Sequence, residues 1–541
     1  MSSNSEAGAP PEAFTRRATG VLREAKTRDA FYYNVMWSSV LLTFTFFWIL
    51  YPFYYAGSSL LVTALIAGAL GLPGAFLYAI LAHMMPRTGG DYVFNSRILH
   101  PAAGFMANFS YCFWLSVVYG VYTTYIAAYG IGAWTRMIAG FTGATGWLSV
   151  GDWFSTHWGL FITGSGMMVL SALLFIAGGT RWFFRFQIAC FFFYVLSMVI
   201  VAVLGLTSSY TAFLGHFNNY AANLGQTHAS AALDAAAKAG GYAPSGSLSL
   251  HASLMAVSVL WFIFGFTYSS NYFAGEIRAT KRAHLYSIPG AAVLGVVVIL
   301  ILTPAYTHFA PYSFNAKLGF ADAAKYGFAG GAPAYPELSA IASGNAFWGT
   351  LILLGFTLGL IVWLPQTMIL ISRSMFAWSF DRLMPEKLSY VDPRTRTPVV
   401  ALAVITLLGI GSTAVYAFTT WFTTISVLLG LSLTLLFTAV SGIVLPFRRP
   451  QLFESSAFNQ RLAGIPVLSI VASAALAAFG VVIWILLTDA GSGTSIAHNP
   501  GKLELAVGVY VLAGVIYLVA AAVRRRQGID IRLAYQELPP E

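Results

Sequence analysis

The sequence predicts an all-α membrane protein with twelve transmembrane helices. Of its 541 residues, 58% are hydrophobic and only 9% are charged, and the mean hydropathy is +0.72. A soluble protein of this length would carry roughly 25% charged residues, so too few charges are present to shield the apolar surface from water. A helical span takes about 20 mostly apolar residues, so the chain has room for many spans and almost none for a soluble domain.

The apolar runs are separated by short polar or Gly- and Pro-containing segments. We place the spans at 31–54, 58–83, 101–133, 155–178, 186–207, 251–274, 286–308, 344–377, 398–418, 421–446, 463–488 and 503–523. The third and eighth runs are long enough for a tilted or bent helix. Two long loops, 208–250 and 309–343, carry no catalytic pattern and are expected to cap one face. The first of them contains a predicted short helix at "HASAALDAAAKA".

Basic residues are distributed unevenly between the two sides of this arrangement. An even number of spans places both termini on one side, together with most of the 29 Lys and Arg residues. Because Lys and Arg in short loops are retained in the cytoplasm, the tails 1–30 and 524–541 are predicted to be cytoplasmic. The expected location is the plasma (cell inner) membrane. The basic residues on the other side are Arg136, Lys238, Lys317, Lys325 and Lys502.

Charge and cysteine content exclude several other classes of protein. The net charge of +10 comes from loops between apolar runs, so it is explained by membrane orientation and no nucleic-acid partner is predicted. Cys112 and Cys190 both fall inside apolar runs, which argues against a disulfide framework or a zinc site. No cofactor or metal is predicted. Residues 1–28 are polar, and the first apolar run reads as an uncleaved insertion signal.

The order of spans and loops divides the chain into repeated units. Five spans, 31–207, precede the long loop 208–250, and five more, 251–446, follow it from the opposite side because five is odd. Two further spans lie within 463–523. A 5+5 arrangement with two appended spans is typical of secondary transporters built from an inverted repeat.

Three segments on the predicted cytoplasmic side carry a family resemblance. They are "PRTGGDYVFNSRILHPAAGF" (86–105), "FIFGFTYSSNYFAGEIRATKRAHLYSIPGA" (262–291) and "SRSMFAWSFDRLMPEKLSYVDPRTRTPVVAL" (372–402). In this order and at these spans, they resemble the amino acid–polyamine–organocation (APC) permeases over about residues 30–450. The resemblance implies a leucine-transporter-type (LeuT-type) fold, in which the first and sixth helices break at mid-membrane. The backbone groups freed there would bind the carboxylate and the amine of the substrate.

The resemblance also implies where the substrate binds. Gly265 lies where the sixth helix would unwind; the alternative is a glycine that only packs helices together. The first helix has no glycine, and its break is expected near residues 43–45, where threonine hydroxyls could bind the freed groups. No acidic residue lies in the middle of a span, which favours a neutral, bulky or aromatic substrate over a polyamine. The predicted substrate-binding residues are Thr43, Phe44, Thr45, Trp261, Phe264, Gly265, Phe266 and Thr267.

Two other regions follow from the same resemblance. Tyr194, Gly359 and Trp363 stand where family members keep a lysine or paired hydroxyls at a cation site, so neither cation signature is present and a proton is one possible coupling ion. An inner gate is predicted from four charged residues, for which the alternative is interfacial anchoring. These residues are Asp91, Arg97, Glu276 and Arg278.

Three functional classes were compared on these residues. A secondary transporter of amino acids or related amines, working by alternating access, fits the motifs best. A substrate sensor that keeps the fold without transport is the alternative, because the first helix lacks glycine and the cation signatures are absent. A membrane enzyme is not predicted, since no buried acid, metal-ligand pair or nucleophile–base pair is evident.

Overall fold

The chain folds into a bundle of long helices with short connecting segments. The computed structural model describes residues 25–244, 246–278, 280–328, 334–395, 397–421, 426–491, 495, 499–529, 531 and 535. The predicted N-terminal tail therefore lies outside the described residues up to residue 24, as does most of the C-terminal tail. One short hairpin, β1 (Arg461–Leu462) with β2 (Ile465–Pro466), accompanies the helices.

In the described residues, the first half of the chain contains ten α-helices. They are α1 (Thr27–Trp37), α2 (Val40–Tyr54), α3 (Leu60–Met84), α4 (Asp91–Ile98), α5 (Pro101–Tyr125), α6 (Ala133–Thr142), α7 (Gly146–Trp153), α8 (His157–Thr207), α9 (Tyr210–Asn223) and α10 (Ala229–Ala239). A π-helical segment, Ile126–Gly132, joins α5 to α6. It makes the helix of the third predicted span locally broader. Helix α10 confirms the short helix expected in the loop 208–250.

Eleven more α-helices lie in the part of the second half that the structure describes. They are α11 (Leu250–Met255), α12 (Val257–Gly265), α13 (Thr280–Phe309), α14 (Tyr312–Phe320), α15 (Tyr335–Ala342), α16 (Ala346–Phe380), α17 (Val399–Phe418), α18 (Val427–Arg448), α19 (Pro450–Glu454), α20 (Val467–Thr488) and α21 (Gly501–Arg526). Shorter 3₁₀ segments lie at Ser269–Glu276, Ala323–Tyr326 and Glu386–Ser389.

Eleven stretches of helix in the described residues are long and apolar enough to cross a membrane. One of them, α8, has 51 residues, which at 1.5 Å per residue is about twice the length that a bilayer needs. Gly179 interrupts it with φ 62° and ψ −165°. A Cβ there would lie 2.5 Å from the carbonyl oxygen of Thr395, which explains the glycine. The loop expected at 179–185 is helical beyond Gly179, and the count of twelve stays a prediction.

Helix one, the pair α1 and α2, is interrupted at Ser38 and Ser39. Ser39 has φ 47°, in the left-handed region, although it is not a glycine. Its hydroxyl is hydrogen-bonded to that of Tyr122 at 2.6 Å, and the Ser38 hydroxyl donates to the carbonyl of Asn34 at 2.9 Å. The break expected at 43–45 was therefore wrong in position, because those residues lie inside α2. Serine hydroxyls that bond locally replace the glycine at this break.

Helix six, α12 with the 3₁₀ segment Ser269–Glu276, is also interrupted. Helix α12 ends at Gly265, as expected from the sequence, and the 3₁₀ turns begin four residues later. Helix one and helix six lie at the centre of the bundle, packed against α3, α8, α13 and α16. Large apolar side chains are exposed around the outside, including Leu206 (87%) and Leu407 (69%). This distribution suits a surface surrounded by lipid.

The bundle has two opposite faces, a tail face and a loop face. The tail face carries Ala25, Arg97, Asp381, Arg448 and Tyr535, where the chain ends meet the loops that follow α3 and α16. The loop face, at the other ends of these helices, carries Tyr55, Ser426 and Asp489 together with the helices α9, α10, α14 and α15.

Candidate functional site

The two helix breaks expose backbone groups inside the bundle. The first N–H groups of a helix and its last C=O groups have no partner within that helix. Helix α2 therefore presents N–H groups at Val40 and Leu41, and α12 presents C=O groups near Gly265. The helix dipole adds partial positive charge at the first position and partial negative charge at the second. This pair of ends is suited to a carboxylate and an ammonium group.

The halves of helix one and helix six nearer the tail face are bonded to each other. The Asn34 side chain accepts from the backbone N–H of Ser270 at 2.9 Å and donates to the hydroxyls of Ser270 (3.0 Å) and Ser287 (3.3 Å). Gln366 of α16 donates to the carbonyl of Tyr33 at 3.1 Å, and the Tyr33 hydroxyl donates back to the Gln366 carbonyl at 2.7 Å. These bonds tie α1 to helix six and to α16.

The three residues of the predicted cation-site region lie together at the break in helix one. The hydroxyl of Tyr194 accepts from the backbone N–H of Leu41 at 3.0 Å. A Cβ on Gly359 would lie 2.7 Å from the Tyr194 ring, so the glycine makes room for that ring. Trp363 stacks on Tyr122 with ring centroids 3.9 Å apart. Aromatic groups fill this region, and no group of metal-ligating side chains is found among the described residues.

A cavity of about 300 Å³ extends from the loop face toward the break in helix one. Thr43 of α2, Tyr122 of α5 and Phe262 of α12 are among its walls, and none of the lining side chains is charged. The lining residues are Leu42, Thr43, Phe46, Leu50, Val118, Val121, Tyr122, Ser258, Val259, Phe262, Ser426, Val427, Leu428, Leu431, Leu486 and Gly491. Its volume falls at the small end of the range for ligand pockets.

Of the predicted residues on helix one, only Thr43 lines this cavity. The Phe44 ring packs against Tyr335 and Tyr306 at centroid distances of 4.8 and 5.9 Å, away from the cavity. The Thr45 hydroxyl donates to the carbonyl of Leu41 at 2.8 Å, within the helix. The expectation that all three positions meet the substrate therefore does not fit this geometry, because helix α2 turns Phe44 and Thr45 toward other helices.

The predicted residues of helix six are divided between packing and the break. A Cβ on Gly265 would lie 2.6 Å from the indole of Trp261, and that indole donates to the Ser432 hydroxyl at 3.1 Å. Phe264 packs against Gly71 of α3 and is not among the residues that line the cavity. A side chain at residue 265 would thus meet Trp261 of the same helix, at the position where α12 ends, and contact of Gly265 with substrate stays a prediction.

Two further predicted residues follow the end of α12. Phe266 lies with its ring centroid 5.7 Å from that of Phe262, a cavity residue. Thr267 is 1% exposed, and its hydroxyl has no hydrogen-bond partner in the described part of the chain. A buried hydroxyl without a partner is available to a ligand.

Two residues of the predicted inner gate, Arg97 and Glu276, pair with residues outside the predicted set, and the gate itself stays a prediction. Arg97 forms a two-fold ion pair with Asp381 at 2.7 and 2.8 Å, and Glu276 forms one with Arg373 at 2.6 and 2.9 Å. All four of these side chains are nearly fully buried. Arg278 is exposed and lies outside both pairs. The partners come from the end of α16, more than 90 residues away, which no local pattern indicates.

Asp91, the fourth predicted gate residue, has a different environment. Its Oδ1 atom accepts from the Tyr272 hydroxyl at 2.8 Å and from the Asn108 amide at 2.9 Å. The carboxyl thus joins α4 to α5 and to the 3₁₀ segment of helix six, and it forms no ion pair with an arginine or lysine of the described residues.

Sequence reasoning missed the residues that shape the break in helix one. The "SS" pair at Ser38–Ser39 was a usable signal, since two small hydroxyl residues interrupt an otherwise apolar run. Tyr122 gave no such signal, because its position opposite Ser39 depends on how α5 packs.

Comparison with known proteins completes this picture. No curated protein matches the chain. A family model described as amino acid permease matches residues 30–500, which is most of the sequence. Members of that family are transporters rather than enzymes. The chain therefore belongs to the amino acid permease family, within the APC superfamily.

Proposed function

We propose that the protein is a secondary active transporter of an amino acid or a related organic amine that works by alternating access. The observation that carries this proposal is the pairing of two interrupted helices, which places the N-terminal end of α2 and the C-terminal end of α12 inside the bundle. A substrate that bears both a carboxylate and an ammonium group satisfies both ends at once. Family membership supports the class of substrate.

The proposed substrate is neutral overall and has an apolar, preferably aromatic, side chain. The cavity beside the breaks is bordered by Phe46, Phe262 and Tyr122 and by no charged side chain. A second cationic group, as in a polyamine, would lose its hydration there without a partner. The Thr267 hydroxyl is a candidate for the one additional polar contact.

In the proposed transport cycle, the substrate site opens alternately to the loop face and to the tail face. Twelve spans with cytoplasmic termini, in the plasma membrane, would make the loop face extracellular, so the cavity would receive substrate from outside. The ion pairs Arg97–Asp381 and Glu276–Arg373 hold the tail face together. Opening toward the cytoplasm would require the inner halves of helix one and helix six to separate from α16.

The direct test is flux through the purified protein. Proteoliposomes should accumulate one or more radiolabelled amino acids or amines with saturable kinetics, aromatic and large neutral substrates being the best. Thermal unfolding with the same panel, repeated across pH and sodium concentration, should show stabilisation by the transported compounds. If no compound is moved and none stabilises the protein, the proposed substrate class is wrong.

One observation favours a substrate sensor as the second candidate. Tyr194, seated against Gly359, fills the region in which transporting relatives are expected to bind a cation. A sensor would show stabilisation by a ligand without flux of that ligand. Measured turnover of a radiolabelled compound would eliminate the sensor.

A further inference from the structure

The segment between α3 and α4 holds one residue of helix six, Tyr272, in a clasp. The backbone N–H of Gly89 donates to the Tyr272 carbonyl at 3.0 Å. A Cβ on Gly90 would lie 3.0 Å from the Tyr272 ring, so glycine allows the chain to lie flat on it. The Tyr272 hydroxyl then donates to Asp91 Oδ1 at 2.8 Å. The "GGD" of the sequence therefore binds the 3₁₀ segment of helix six.

The carboxyl at the end of this clasp is buried without a cation. Asp91 is 0% exposed, and its interactions within the described residues are hydrogen bonds to Oδ1, while Oδ2 has no hydrogen-bond partner there. Asp381 and Glu276, two other buried acids near the tail face, each face an arginine. An ionised carboxylate without such a partner costs free energy in a buried site, and the neutral acid does not.

Within the described part of the chain, the groups that face Asp91 are neutral. On its own element, the charge of Arg97 is directed to Asp381. The titratable groups that face Asp91 are the phenols of Tyr78 (α3), Tyr111 (α5), Tyr268 and Tyr272 (helix six) and Tyr510 (α21), and the thiol of Cys112 (α5). Burial raises the pKa of Asp91 to about 6, and the bonds from Tyr272 and Asn108 oppose part of that rise.

We propose that the Asp91 carboxyl is a proton-binding site that couples a proton to the movement of the inner half of helix six. This inference rests on the proposed transport function and names its coupling ion. The ionised carboxylate accepts charge-assisted hydrogen bonds from Tyr272 and Asn108 and keeps the clasp closed. Binding of one proton converts it to the neutral acid, weakens both bonds and lets the 3₁₀ segment leave the tail face. Release of the proton restores the clasp.

The test compares wild type with Asp91→Asn, which imitates the protonated acid. In proteoliposomes, the wild-type rate of substrate exchange should fall roughly tenfold between pH 5 and pH 7, following a group with a pKa near 6. A pH gradient should drive net accumulation. In Asp91→Asn, exchange should persist at a rate that no longer varies with pH, and the gradient should drive nothing. A variant that keeps the wild-type pH midpoint overturns the proposal.

A second variant keeps the proposal falsifiable if Asp91→Asn does not fold. Tyr272→Phe removes one donor to the ionised form, so the pH midpoint of exchange should move upward. The matched control is Asp322→Asn, an exposed carboxylate on the loop face, which should leave the midpoint where it is. An unmoved midpoint in Tyr272→Phe, or no pH dependence in wild type, counts against the proton site.

Thermal unfolding without substrate separates failure of this site from failure of the proposed function. The pKa of Asp91 in the folded protein, about 6, lies above its ordinary value of 3.8. Protonated Asp91 therefore stabilises the fold fully below pH 3.8, and this stabilisation is lost as the pH rises to about 6. Wild type should therefore lose stability across this range, and Asp91→Asn should lose less. This result is expected even if no tested compound is transported. Identical pH dependence in both proteins would overturn the proton site alone.

Discussion

The hydroxyl of Tyr194 accepts a hydrogen bond from the backbone N–H of Leu41, 3.0 Å away, in the first turn of α2. One of the N–H groups freed by the break in helix one is therefore satisfied by a side chain of α8. The phenol ring reaches this place only because residue 359 is a glycine. The break is stabilised from within the protein, by a group that adjoins the proposed carboxylate site.

Replacing Tyr194 by Phe should weaken both folding and substrate binding. The change leaves a buried N–H without a partner, which costs about 1–3 kcal/mol, or roughly 5- to 150-fold if it appears in binding. Thermal unfolding with and without substrate measures the two effects. Tyr125→Phe is the control, since the Tyr125 hydroxyl makes no hydrogen bond within the described residues. Equal stability and affinity in Tyr194→Phe and wild type would contradict the assigned contact.

Replacing Gly359 by Ala should displace the Tyr194 ring and imitate its loss. The new Cβ would lie 2.7 Å from the ring, too close for either group to stay in place. In the double variant with Tyr194→Phe, the loss of stability and affinity should be smaller than the sum of the losses in the two single variants, because both substitutions act on one contact. Gly411→Ala is the control, as a Cβ there has open space around it. Additive effects would show that the two residues act independently.

Replacing Gly265 by Leu should abolish substrate binding while the protein remains expressed and monodisperse. The side chain would collide with Trp261 at the end of α12, where the free C=O groups lie. Ligand-dependent thermal shifts and size-exclusion chromatography test the two parts of this prediction. Gly480→Leu, at a position with open space in α20, should bind normally. Wild-type affinity in Gly265→Leu would remove Gly265 from the site.

Replacing Glu276 by Gln should strongly destabilise the protein. It leaves the Arg373 guanidinium buried without its counter-charge, a loss of about 3–5 kcal/mol. The exchanged pair Glu276→Arg with Arg373→Glu should recover part of the stability. The exposed pair formed by Arg461 and Glu454 provides the comparison: Glu454→Gln should cost less than about 1 kcal/mol. Thermal unfolding of wild type, Glu276→Gln, the exchanged pair and Glu454→Gln measures these losses of stability. A small loss of stability in Glu276→Gln would contradict the burial of this pair.

Replacing Thr43 by Trp should block the cavity from the loop face. A large side chain at this wall would fill much of the 300 Å³ and stop uptake without preventing folding. Thr43→Ser keeps the hydroxyl and should transport normally. Leu407→Trp adds the same bulk on the lipid-facing surface and should also have little effect. Undiminished uptake in Thr43→Trp would show that substrate takes another path.

Much of the fold was predictable because hydropathy is a local property. Apolar runs of about 20 residues must form helices in lipid, where every backbone polar group needs an internal partner. The predicted spans therefore agree with the helices to within a few residues in most cases. The exception is α8, in which two predicted spans merge except at Gly179. The backbone conformation at Gly179 depends on the carbonyl of Thr395, which is distant in sequence. A local sequence pattern therefore does not predict whether the helix continues at this residue.

The sequence by itself determined that this protein is a helical membrane permease, through its apolar runs, its ordered motifs and the glycine at which helix six ends. Only the tertiary structure decided where helix one breaks, because the non-helical backbone at the two serines is stabilised by hydrogen bonds to partners such as Tyr122. It also decided that Arg97 and Glu276 pair with residues of α16, and that Asp91 faces no cationic side chain among the residues that the structure describes. The physical reason is that a helix can form from its own hydrogen bonds, whereas a buried charge or a freed backbone group depends on what the rest of the chain brings to it.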